Sequence, residues 1–375
     1  MSVSRNNTRL TSQPAPEEPS ADLESLRQRV DEIDRRIIDA ISERARIIVE
    51  IGKTKQRTGA PIYAPHRERQ VLDRVLALNP GPMTRQTIEA IYREIMSGSF
   101  KLELPLRVGY LGPAGSYSHA AATRHFGSSV EHMDLHDIQG VFDEVAAERC
   151  HYGLVPYENT IGGSITETLD AFQSCEVTIY AETLIEVSHA LLANCQPGEI
   201  RRIYSKPQVF AQCRRWLSHQ FPDAELVPET SSSAAVRRAA QESAAAAIGS
   251  KLAGEIHGVN LIFENVQDQA DNITRFLVIG RQAALPTGRD KTTIMFTTAD
   301  RPGALLDVLA VFRDGEINLS HIAERPSGRK NWQYLFFVDC AGHKDDPAMA
   351  RAIEAARAHC LALRVLGSYP QAARP

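Results

Sequence analysis

Residues 23–57 read LESLRQRVDEIDRRIIDAISERARIIVEIGKTKQR. Apolar side chains recur in this stretch at steps of three and four residues, which is the spacing of one helix face. They are Leu23, Leu26, Val30, Ile33, Ile37, Ile41, Ala45, Ile48 and Ile51. No proline interrupts the stretch, and Gly59 and Pro61 follow it, so the pattern predicts one helix of about 35 residues and about 50 Å. Because a small domain alone cannot cover so long a helix, we expect a homodimer or a larger homo-oligomer.

Three composition regimes follow each other along the chain. Residues 1–20 are polar and predict a tail, and two further helical patterns complete an all-α domain at 21–104. Over 105–284, short apolar strands alternate with helices, which predicts a two-lobed α/β domain with a cleft. Within it, the alanine-rich run 233–254 predicts a single helix. Residues 291–370 follow a βαββα pattern, which predicts a small α+β ferredoxin-like domain.

The composition restricts the classes of function. The chain has 375 residues and a net charge of −4, which leaves no broad basic surface for nucleic acid. Its six cysteines form no C-x-x-C pair, which argues against a zinc module or a disulfide framework. No run of about 18 apolar residues and no secretory signal occurs, so we expect a cytoplasmic protein without a membrane span.

Several charged side chains of the helical domain fall on shared helix faces. Arg44 and Lys55 are eleven positions apart, about 20° from one another around a helix, whereas Arg27 points about 100° away from Arg44. Ser99 and Glu103 are four positions apart and share a face of the last helix. One chain therefore offers two cations to one pocket, and Arg27 faces a different one. Taken alone, such charges are most often a solvated helix face.

The order of motifs in this domain resembles the all-helical chorismate mutase family. It runs Leu26-Arg27, Glu43-Arg44, Gly52-Lys53-Thr54-Lys55, Pro61-Ile62-Tyr63, Arg67-Glu68 and Arg93-Glu94-Ile95-Met96-Ser97. The resemblance implies an intertwined dimer in which Arg27 crosses into the partner's site. It also implies that Arg44 and Lys55 hold the substrate's carboxylate and ether oxygen and that Glu68 binds its hydroxyl. Arg67 would then add positive charge, and Ser99 and Glu103 would close the site.

The chemistry of a pericyclic rearrangement suits these residue types. It needs no base or nucleophile, only a chair-like substrate and cations where the breaking ether bond gathers negative charge. Two positions depart from the family pattern: Ala64 stands where an acid is frequent, and Glu103 stands where some members have glutamine. A glutamate must be protonated to donate to the ether oxygen. We therefore expect mutase activity to fall as the pH rises through neutrality, and Glu103→Gln to flatten that profile.

The α/β region opens with VGYLGPAGSYSH at residues 108–119. A strand, a glycine-rich loop and a helix start in this order predict a cradle of backbone N–H groups for an anion. The glycines are spaced G-x-x-G-x-x-G, which is not a dinucleotide fingerprint, so a nicotinamide cofactor is only weakly supported. Loops at 155–164 and 204–208 also join a strand to a helix, and 271–276 (DNITRF) enters a strand. We expect these loops to converge on a small dianion.

The G-P-x-G-S-Y-S loop and the T-R-F tripeptide make residues 106–281 resemble prephenate dehydratase. The resemblance implies that Thr274 is the essential residue and assists departure of the ring hydroxyl as carbon dioxide leaves. Because a hydroxyl is a weak acid, it would act through a hydrogen bond that strengthens in the transition state of a dry cleft. No metal or cofactor is implied. The implied substrate-binding residues are Ser116, Glu158, Asn159, Thr160, Ser205, Gln212, Thr274, Arg275 and Phe276.

Other polar residues of this region have simpler interpretations. His132 and His136 have ligand-like spacing, but they fall on and just after a predicted strand, where four residues span about 13 Å, and we interpret them as solvated. Arg214 and Arg215 are interpreted as a surface pair. His189 is equally consistent with a satisfied core side chain.

Residues 291–370 resemble the ACT regulatory domain that is attached to prephenate dehydratases. The resemblance rests on the loop Gly303-Ala304-Leu305, on Asn318 before a strand, and on Ala323-Glu324-Arg325-Pro326, where the family has Glu-Ser-Arg-Pro. It implies that phenylalanine binds at a dimer interface and that feedback inhibition follows from differential affinity for two states. The implied effector-binding residues are Gly303, Ala304, Leu305, Asn318 and Arg325.

Together the three parts resemble the bifunctional enzymes of phenylalanine biosynthesis. Such an enzyme rearranges chorismate to prephenate and converts prephenate to phenylpyruvate. One alternative is a non-enzymatic amino-acid sensor, which would need a DNA-reading element. The other is a mutase fused to a prephenate dehydrogenase, which would need a nicotinamide fingerprint.

Overall fold

The computed structural model describes residues 22–59, 61–326 and 334–373. The chain divides after Glu50 into two compact units. Most of the described part of the first unit belongs to helix α1, Leu23–Thr58, which confirms the predicted long helix. Gly52 is the one buried residue along α1. The large apolar side chains of α1 that are 38% to 61% exposed are Leu23, Leu26, Val30, Ile33, Ile37, Ile38, Ile41, Ile47 and Ile51. Another helix usually covers a face of this kind.

The second unit begins with the end of α1 and two shorter helices, α2 (Pro65–Ala77) and α3 (Arg85–Glu103). Tyr63, just before α2, is 1% exposed, and its carbonyl accepts hydrogen bonds from the hydroxyls of Tyr152 and Tyr180. Its ring packs edge to face against Phe126. Tyr63 therefore shares a hydrophobic core with the α/β region that follows.

The first α/β lobe contains a mixed sheet in the order β2-β1-β3-β11-β5, with β4 paired to β3. Strand β1 is parallel to β2 and β3, whereas β11 is antiparallel to β3 and β5. Every residue of β11 after the first is buried, so β11 is a central strand. The strands are β1 Arg107–Leu111, β2 Glu131–Leu135, β3 Tyr152–Asn159, β4 Gly163–Ser164, β5 Thr178–Glu186 and β11 Ile273–Gly280. The helices are α4 Tyr117–Phe126, α5 Ile138–Ala146 and α6 Thr166–Ser174.

The second lobe has a sheet in the order β10-β6-β9-β7-β8. Its strands are β6 Ala190–Ala193, β7 Arg202–Ser205, β8 Glu225–Pro228, β9 Ala245–Gly249 and β10 Leu261–Phe263. Its helices are α7 Pro207–Gln212, α8 Arg214–Gln220, α9 Ser232–Ala239 and α10 Lys251–His257. The chain enters this lobe between β5 and β6 and returns between β10 and β11. Two crossings of this kind confirm the predicted two-lobed architecture.

The prediction of one helix over 233–254 is wrong. The run contains α9, strand β9 and α10, and every residue of β9 (AAAIG) is buried. Alanine has the highest intrinsic helix propensity, but β9 fills the sheet position between β6 and β7. Its small side chains are the ones that a crowded central strand accepts. Tertiary packing therefore overrides the local preference.

The C-terminal domain confirms the predicted α+β sandwich, with a sheet in the order β13-β14-β12-β15. Helices α11 and α12 pack on one face of the sheet, against Ile294, Phe296 and Val338. The other face shares a core with the first lobe, where Phe337 and Tyr369 cluster with side chains of that lobe. Its elements are β12 Asp290–Thr297, α11 Ala304–Asp314, β13 Leu319–Pro326, β14 Tyr334–Ala341, α12 Pro347–Arg357 and β15 Ala362–Pro370. Across the described ranges, no helix has the length and hydropathy to cross a membrane.

Candidate active sites

Thr274 and Asn159 lie side by side where β11 pairs with β3. Asn159 Nδ2 donates to Thr274 Oγ1 at 2.9 Å and to Asn272 Oδ1 at 2.7 Å. Asn159 Oδ1 accepts from the backbone N–H groups of Ile161 at 3.0 Å and Gly162 at 2.8 Å. Two backbone donors on one side of the amide fix its orientation, so the NH₂ group must face Thr274.

This arrangement determines what the Thr274 hydroxyl is able to do. Its oxygen accepts from Asn159, so its own proton remains available for a third group. The amide donor also stabilises negative charge that develops on the oxygen when the proton moves away. Thr274 is only 9% exposed, so competition from bulk water is small. The strand pairing therefore produces a fixed, polarised hydrogen-bond donor.

A cavity of about 370 Å³ is lined by Ile161 and Asn272, both of which are hydrogen-bonded to Asn159. Asn272 and Gln212 line it, and so does Arg215, which the sequence analysis assigned to a surface pair. Asp268 explains the position of Arg215: its carboxylate accepts from the N–H groups of Arg215 at 2.9 Å and Trp216 at 3.0 Å, at the start of α8. The cavity lining therefore combines Gln212 and Arg215 with Asp268, and an amide and a guanidinium are groups that bind a carboxylate.

Three further predicted residues support this region with contacts to the protein. Thr160 Oγ1 donates to the Asp271 carbonyl and accepts from Ile273 N–H, both at 2.9 Å. Ser205 is fully buried and donates to the Ile248 carbonyl at 2.8 Å. Phe276 is 2% exposed and belongs to the core of the first lobe. Thr160 ties the end of β3 to the start of β11, Phe276 packs β11 into the first lobe, and Ser205 joins β7 to β9 in the second lobe.

The helical domain brings together two of its predicted site residues, Lys55 and Glu103. Lys55 Nζ is 2.7 Å from Glu103 Oε2 and donates to the Ile62 carbonyl at 3.0 Å. The Glu103 side chain is 4% exposed and that of Lys55 is 25% exposed. Ser99, one turn earlier on the same face of α3, is buried, and its hydroxyl donates to the Ile95 carbonyl at 2.7 Å. Lys55 and Glu103 thus form an ion pair at the edge of the domain.

Glu68 and Arg67 do not join this ion pair. Glu68 forms a hydrogen bond with Tyr63, and burial raises the pKa of Glu68 to about 7. The Tyr63 hydroxyl also lies 2.7 Å from His125 Nε2 on α4. Arg67 is exposed and donates to Gln70 at 3.2 Å. The expected approach of Glu68 and Arg67 to Lys55 is therefore not seen in the single chain.

Arg27 and Arg44 belong to the first unit. The Arg27 side chain is 67% exposed, and its Nη1 lies 3.7 Å from Glu24 Oε2. Arg44 is partly buried.

Comparison with known proteins gives three successive family matches. Residues 26–104 match chorismate mutase type II, residues 108–284 match prephenate dehydratase, and residues 292–358 match the ACT domain. A bifunctional chorismate mutase/prephenate dehydratase from Stutzerimonas stutzeri is 41% identical over 93% of this chain and 98% of its own length. The chain belongs to this bifunctional family. It is an enzyme with a chorismate mutase domain and a prephenate dehydratase domain.

Further relatives agree with this assignment. The bifunctional chorismate mutase/prephenate dehydratase of Pseudomonas aeruginosa is 40% identical over 93% of this chain and 98% of its own length. A solved prephenate dehydratase from Arthrobacter aurescens, in complex with L-Phe, is 31% identical and superimposes with a TM-score of 0.66. It covers 71% of this chain and 90% of its own.

In the dehydratase domain, the glycine-rich loop is not the open anion cradle that the sequence predicts. The N–H groups of Gly112, Gly115 and Ser116 donate to the Leu135 carbonyl, His119 Nδ1 and the Pro113 carbonyl. The Ser116 hydroxyl caps α4 by accepting from His119 N–H, and donates to the Leu111 carbonyl. These groups are used inside the protein and are not free for substrate.

The same loop joins the two lobes. Ser233 Oγ and Ser250 Oγ, both from the second lobe, donate to the carbonyls of Ala114 at 2.5 Å and Gly115 at 2.6 Å. A Cβ at Gly115 would lie 3.0 Å from the Ala253 backbone, and its φ of +82° is strained for other residues. Glycine is required here for lobe packing rather than for anion binding.

Arg275 and Glu158 make their contacts on the sheet face opposite Thr274. Successive strand residues alternate between sheet faces, so Arg275 points to the side opposite Thr274. There Arg275 Nε is 2.6 Å from Glu182, and Nη1 is 2.5 Å from Asp339 of the ACT domain. Glu158, opposite Arg275 in the pairing, is 3.4 Å from His321 of β13, and this hydrogen bond lowers the pKa of Glu158. Both residues connect β3 and β11 to the ACT sheet.

Sequence reasoning missed these inter-domain partners because nothing in the local sequence marks them. Asp339 is fully buried and accepts from Thr293 Oγ1 at 2.6 Å. The Tyr369 hydroxyl accepts from Arg275 Nη2 at 2.9 Å and lies 2.5 Å from Thr293 Oγ1. An acidic residue inside an otherwise apolar strand such as β14 is the one available signal, because burial of an unpaired charge is costly.

The predicted effector residues do not meet within one chain. Gly303 has φ +79° and precedes α11 at the end of the sheet where β12 ends. Asn318 precedes β13 at the opposite end, because the shared partner β14 makes β12 and β13 parallel. Arg325 lies near the Gly303 end, about 20 Å from Asn318 along β13. There the guanidinium of Arg325 donates to both carboxylate oxygens of Asp170 on α6, at 2.8 and 2.5 Å. Arg325 is thus an inter-domain residue in the single chain.

Proposed function

We propose that prephenate is converted to phenylpyruvate at the cavity beside Thr274. The bond between the ring and its carboxylate breaks, and the electron pair enters the ring as carbon dioxide leaves. The carbon–oxygen bond on the opposite side of the ring breaks, and the departing oxygen takes the Thr274 proton to leave as water. Solvent then restores the threonine proton. The observation that carries this proposal is the hydrogen bond from Asn159 to Thr274, which leaves the threonine proton free to be donated.

The substrate is an anion, and the cavity offers groups for its carboxylates. We assign Gln212 and Arg215 to this task because both line the cavity, close to the point where α7 ends and α8 begins. The guanidinium of Arg215 provides the charge, and the amide of Gln212 provides orientation. Neither residue has to change its protonation state during the reaction.

For the mutase, we propose that two copies of the chain complete each site. Lys55 and Glu103 are preassembled in one chain. The apolar face of α1 is exposed in one chain, and covering it with the α1 of a second copy brings in an arginine from outside the first chain. We assign that role to Arg27, with Arg44, Arg67, Glu68 and Ser99 completing the site. The reaction requires cations and shape rather than proton transfer.

We also propose that L-phenylalanine inhibits the dehydratase by binding between two ACT domains. The related Arthrobacter aurescens enzyme was solved with L-Phe. Gly303-Ala304-Leu305 and Asn318 lie at opposite ends of one sheet, so a small ligand that contacts both needs a second copy. The buried link from Asp339 to Arg275 offers a physical route from this site to the residue next to Thr274.

One experiment tests these assignments together. Purified protein receives chorismate, and in a second assay prephenate, without any nicotinamide, and phenylpyruvate is followed with and without L-phenylalanine. We expect product from both substrates and suppression by phenylalanine. Product from prephenate alone would overturn the mutase assignment, and product that is insensitive to phenylalanine would overturn the regulatory one.

A further inference from the structure

His189 connects the two lobes of the dehydratase domain through its ring. It lies in the crossing between β5 and β6 and is 1% exposed. Its Nδ1 is 2.7 Å from the hydroxyl of Tyr117, the first residue of α4 in the first lobe. Its Nε2 is 2.7 Å from Oε1 of Gln212, the last residue of α7 in the second lobe. Tyr117, His189 and Gln212 therefore form a continuous hydrogen-bonded chain that ends at the cavity.

The positions of the protons in this chain follow from its chemistry. Gln212 Oε1 has no proton to donate, so Nε2 of the ring must carry one. A neutral imidazole carries a single N–H, so Nδ1 must accept, and the donor within reach is the Tyr117 hydroxyl. Burial lowers the pKa of His189, which favours the neutral ring. The Ser188 carbonyl, 2.9 Å from the same hydroxyl, is the competing acceptor for the Tyr117 proton.

We propose that His189, with its tautomer set by Tyr117, is a positioning residue that turns the NH₂ group of Gln212 toward the cavity. The proposal rests on the proposed binding of a substrate carboxylate by Gln212. The two ends of a glutamine amide have opposite hydrogen-bonding character. With NH₂ toward the cavity the amide attracts a carboxylate, and with Oε1 toward the cavity it repels one. The tautomer of a histidine that does not contact the substrate therefore decides whether Gln212 binds the substrate.

Tyr117→Phe tests this proposal with little change of shape. Without the hydroxyl, nothing holds the ring proton on Nε2, and the Gln212 amide loses its fixed orientation. Because the Gln212 amide would lose its hydrogen bond to a charged carboxylate, we expect the KM for prephenate to rise roughly tenfold or more. We expect kcat to stay within about threefold. Tyr180→Phe is the matched control, since it also removes a buried first-lobe hydroxyl that bonds a carbonyl, at 3.0 Å.

A double-mutant cycle separates positioning from general destabilisation. In Gln212→Ala there is no amide to orient, so adding Tyr117→Phe should produce no further loss. If Gln212→Ala leaves the KM unchanged, the proposed binding role of Gln212 is wrong and the positioning role fails with it. If Gln212→Ala raises the KM but the Tyr117→Phe effect is fully additive, Gln212 keeps its role and only the positioning role of His189 is overturned.

Nitrogen-15 NMR of histidine-labelled protein reads the tautomer directly. The His189 signals are assigned by their absence from a His189→Gln variant. We expect a protonated Nε2 in the unsubstituted enzyme and a loss of that preference in Tyr117→Phe. A proton on Nδ1 in the unsubstituted enzyme would contradict the inference, because Nε2 would then accept from Gln212 and leave its oxygen toward the cavity.

Discussion

The dehydratase and mutase sites differ in how much of each a single chain assembles. Thr274, Asn159 and Gln212 all have fixed partners within one chain, and Thr274 is almost fully buried. On the mutase side, one chain brings together only the Lys55–Glu103 pair among the predicted residues whose contacts are described, and Arg27 is exposed.

The cause of this difference is the geometry of the elements that carry the residues. Neighbouring strands fix their side chains through the ladder of backbone hydrogen bonds, which one chain completes. A long amphipathic helix fixes its side chains only when another helix covers its apolar face. The comparison predicts that changes in β11 affect one activity and changes in α1 affect the other.

The largest effect is expected from Thr274→Ala. The variant lacks the proton that the leaving hydroxyl takes, so dehydratase kcat should fall about 10²–10⁴-fold. The mutase should keep its full rate because β11 is not part of its site. Separate assays with chorismate and with prephenate measure both. Thr274→Ser retains a hydroxyl and serves as the control that should recover much of the activity; equal loss in both variants would contradict the donor role.

A charge on the open face of α1 should produce the reverse pattern. Ile37 is 48% exposed in one chain, and Ile37→Glu would place a carboxylate in the helix interface of a dimer, where burying an unpaired charge is costly. We expect mutase activity to fall at least about 100-fold and, without phenylalanine, the dimer formed through α1 to be lost in sedimentation, with dehydratase turnover within about twofold.

Gln28→Glu is the matched control for this variant. It adds the same charge to the same helix, about 180° away from Ile37. Unchanged mutase activity in Gln28→Glu with loss in Ile37→Glu would locate the interface on the apolar face. Full mutase activity in Ile37→Glu would show that α1 needs no partner.

Within one chain, Arg275 also connects the dehydratase domain to the ACT domain through its ion pair with Asp339. In Asp339→Asn the guanidinium loses a charged partner but keeps Glu182 at 2.6 Å. We expect the phenylalanine concentration for half inhibition to rise at least about tenfold and uninhibited dehydratase activity to change by less than about threefold. Inhibition curves measure this, and Asp345→Asn, at a 60% exposed side chain, is the control. Unchanged inhibition would exclude Asp339 from the route.

Much of the fold could be predicted because its signals are local. The helix of α1 and the order of strands and helices in the ACT domain can both be predicted from the pattern of neighbouring residues in the sequence. Strand β9 was missed because its alanines carry no strand signal, and only the neighbouring β6 and β7 make it a strand.

The site residues divide along a similar line. Thr274 and Asn159 come from motifs, and the register of β3 and β11 brings them together. Arg275 is in the same tripeptide as Thr274, yet alternation along the strand turns it toward Asp339, 64 positions away in the chain. Arg325 likewise has its partner Asp170 in another domain. A motif identifies residues, but their direction depends on partners that are distant in sequence.

The smallest effect concerns Glu68, which lies where the mutase helices meet the dehydratase domain. Burial raises its pKa from 4.5 to about 7, so the folded state binds the proton more tightly than the unfolded chain. The protein therefore loses stability as the pH rises from about 4.5 to about 7, and the full cost is present above that range. Glu68→Gln removes this cost and should raise the free energy of unfolding by about 1–3 kcal/mol at pH 8, with little change at pH 4.5.

Thermal unfolding of both proteins at the two pH values measures this difference, and Glu131→Gln at an exposed glutamate controls for the lost charge. If Glu68 also binds the substrate hydroxyl, the stabilised variant should lose mutase activity. A stabilised variant without mutase activity would show that the buried carboxylate serves function at a cost in stability. Stabilisation of equal size at pH 4.5 and pH 8 would contradict the raised pKa. Stabilisation at pH 8 with full mutase activity would leave Glu68 as a structural residue of the domain junction.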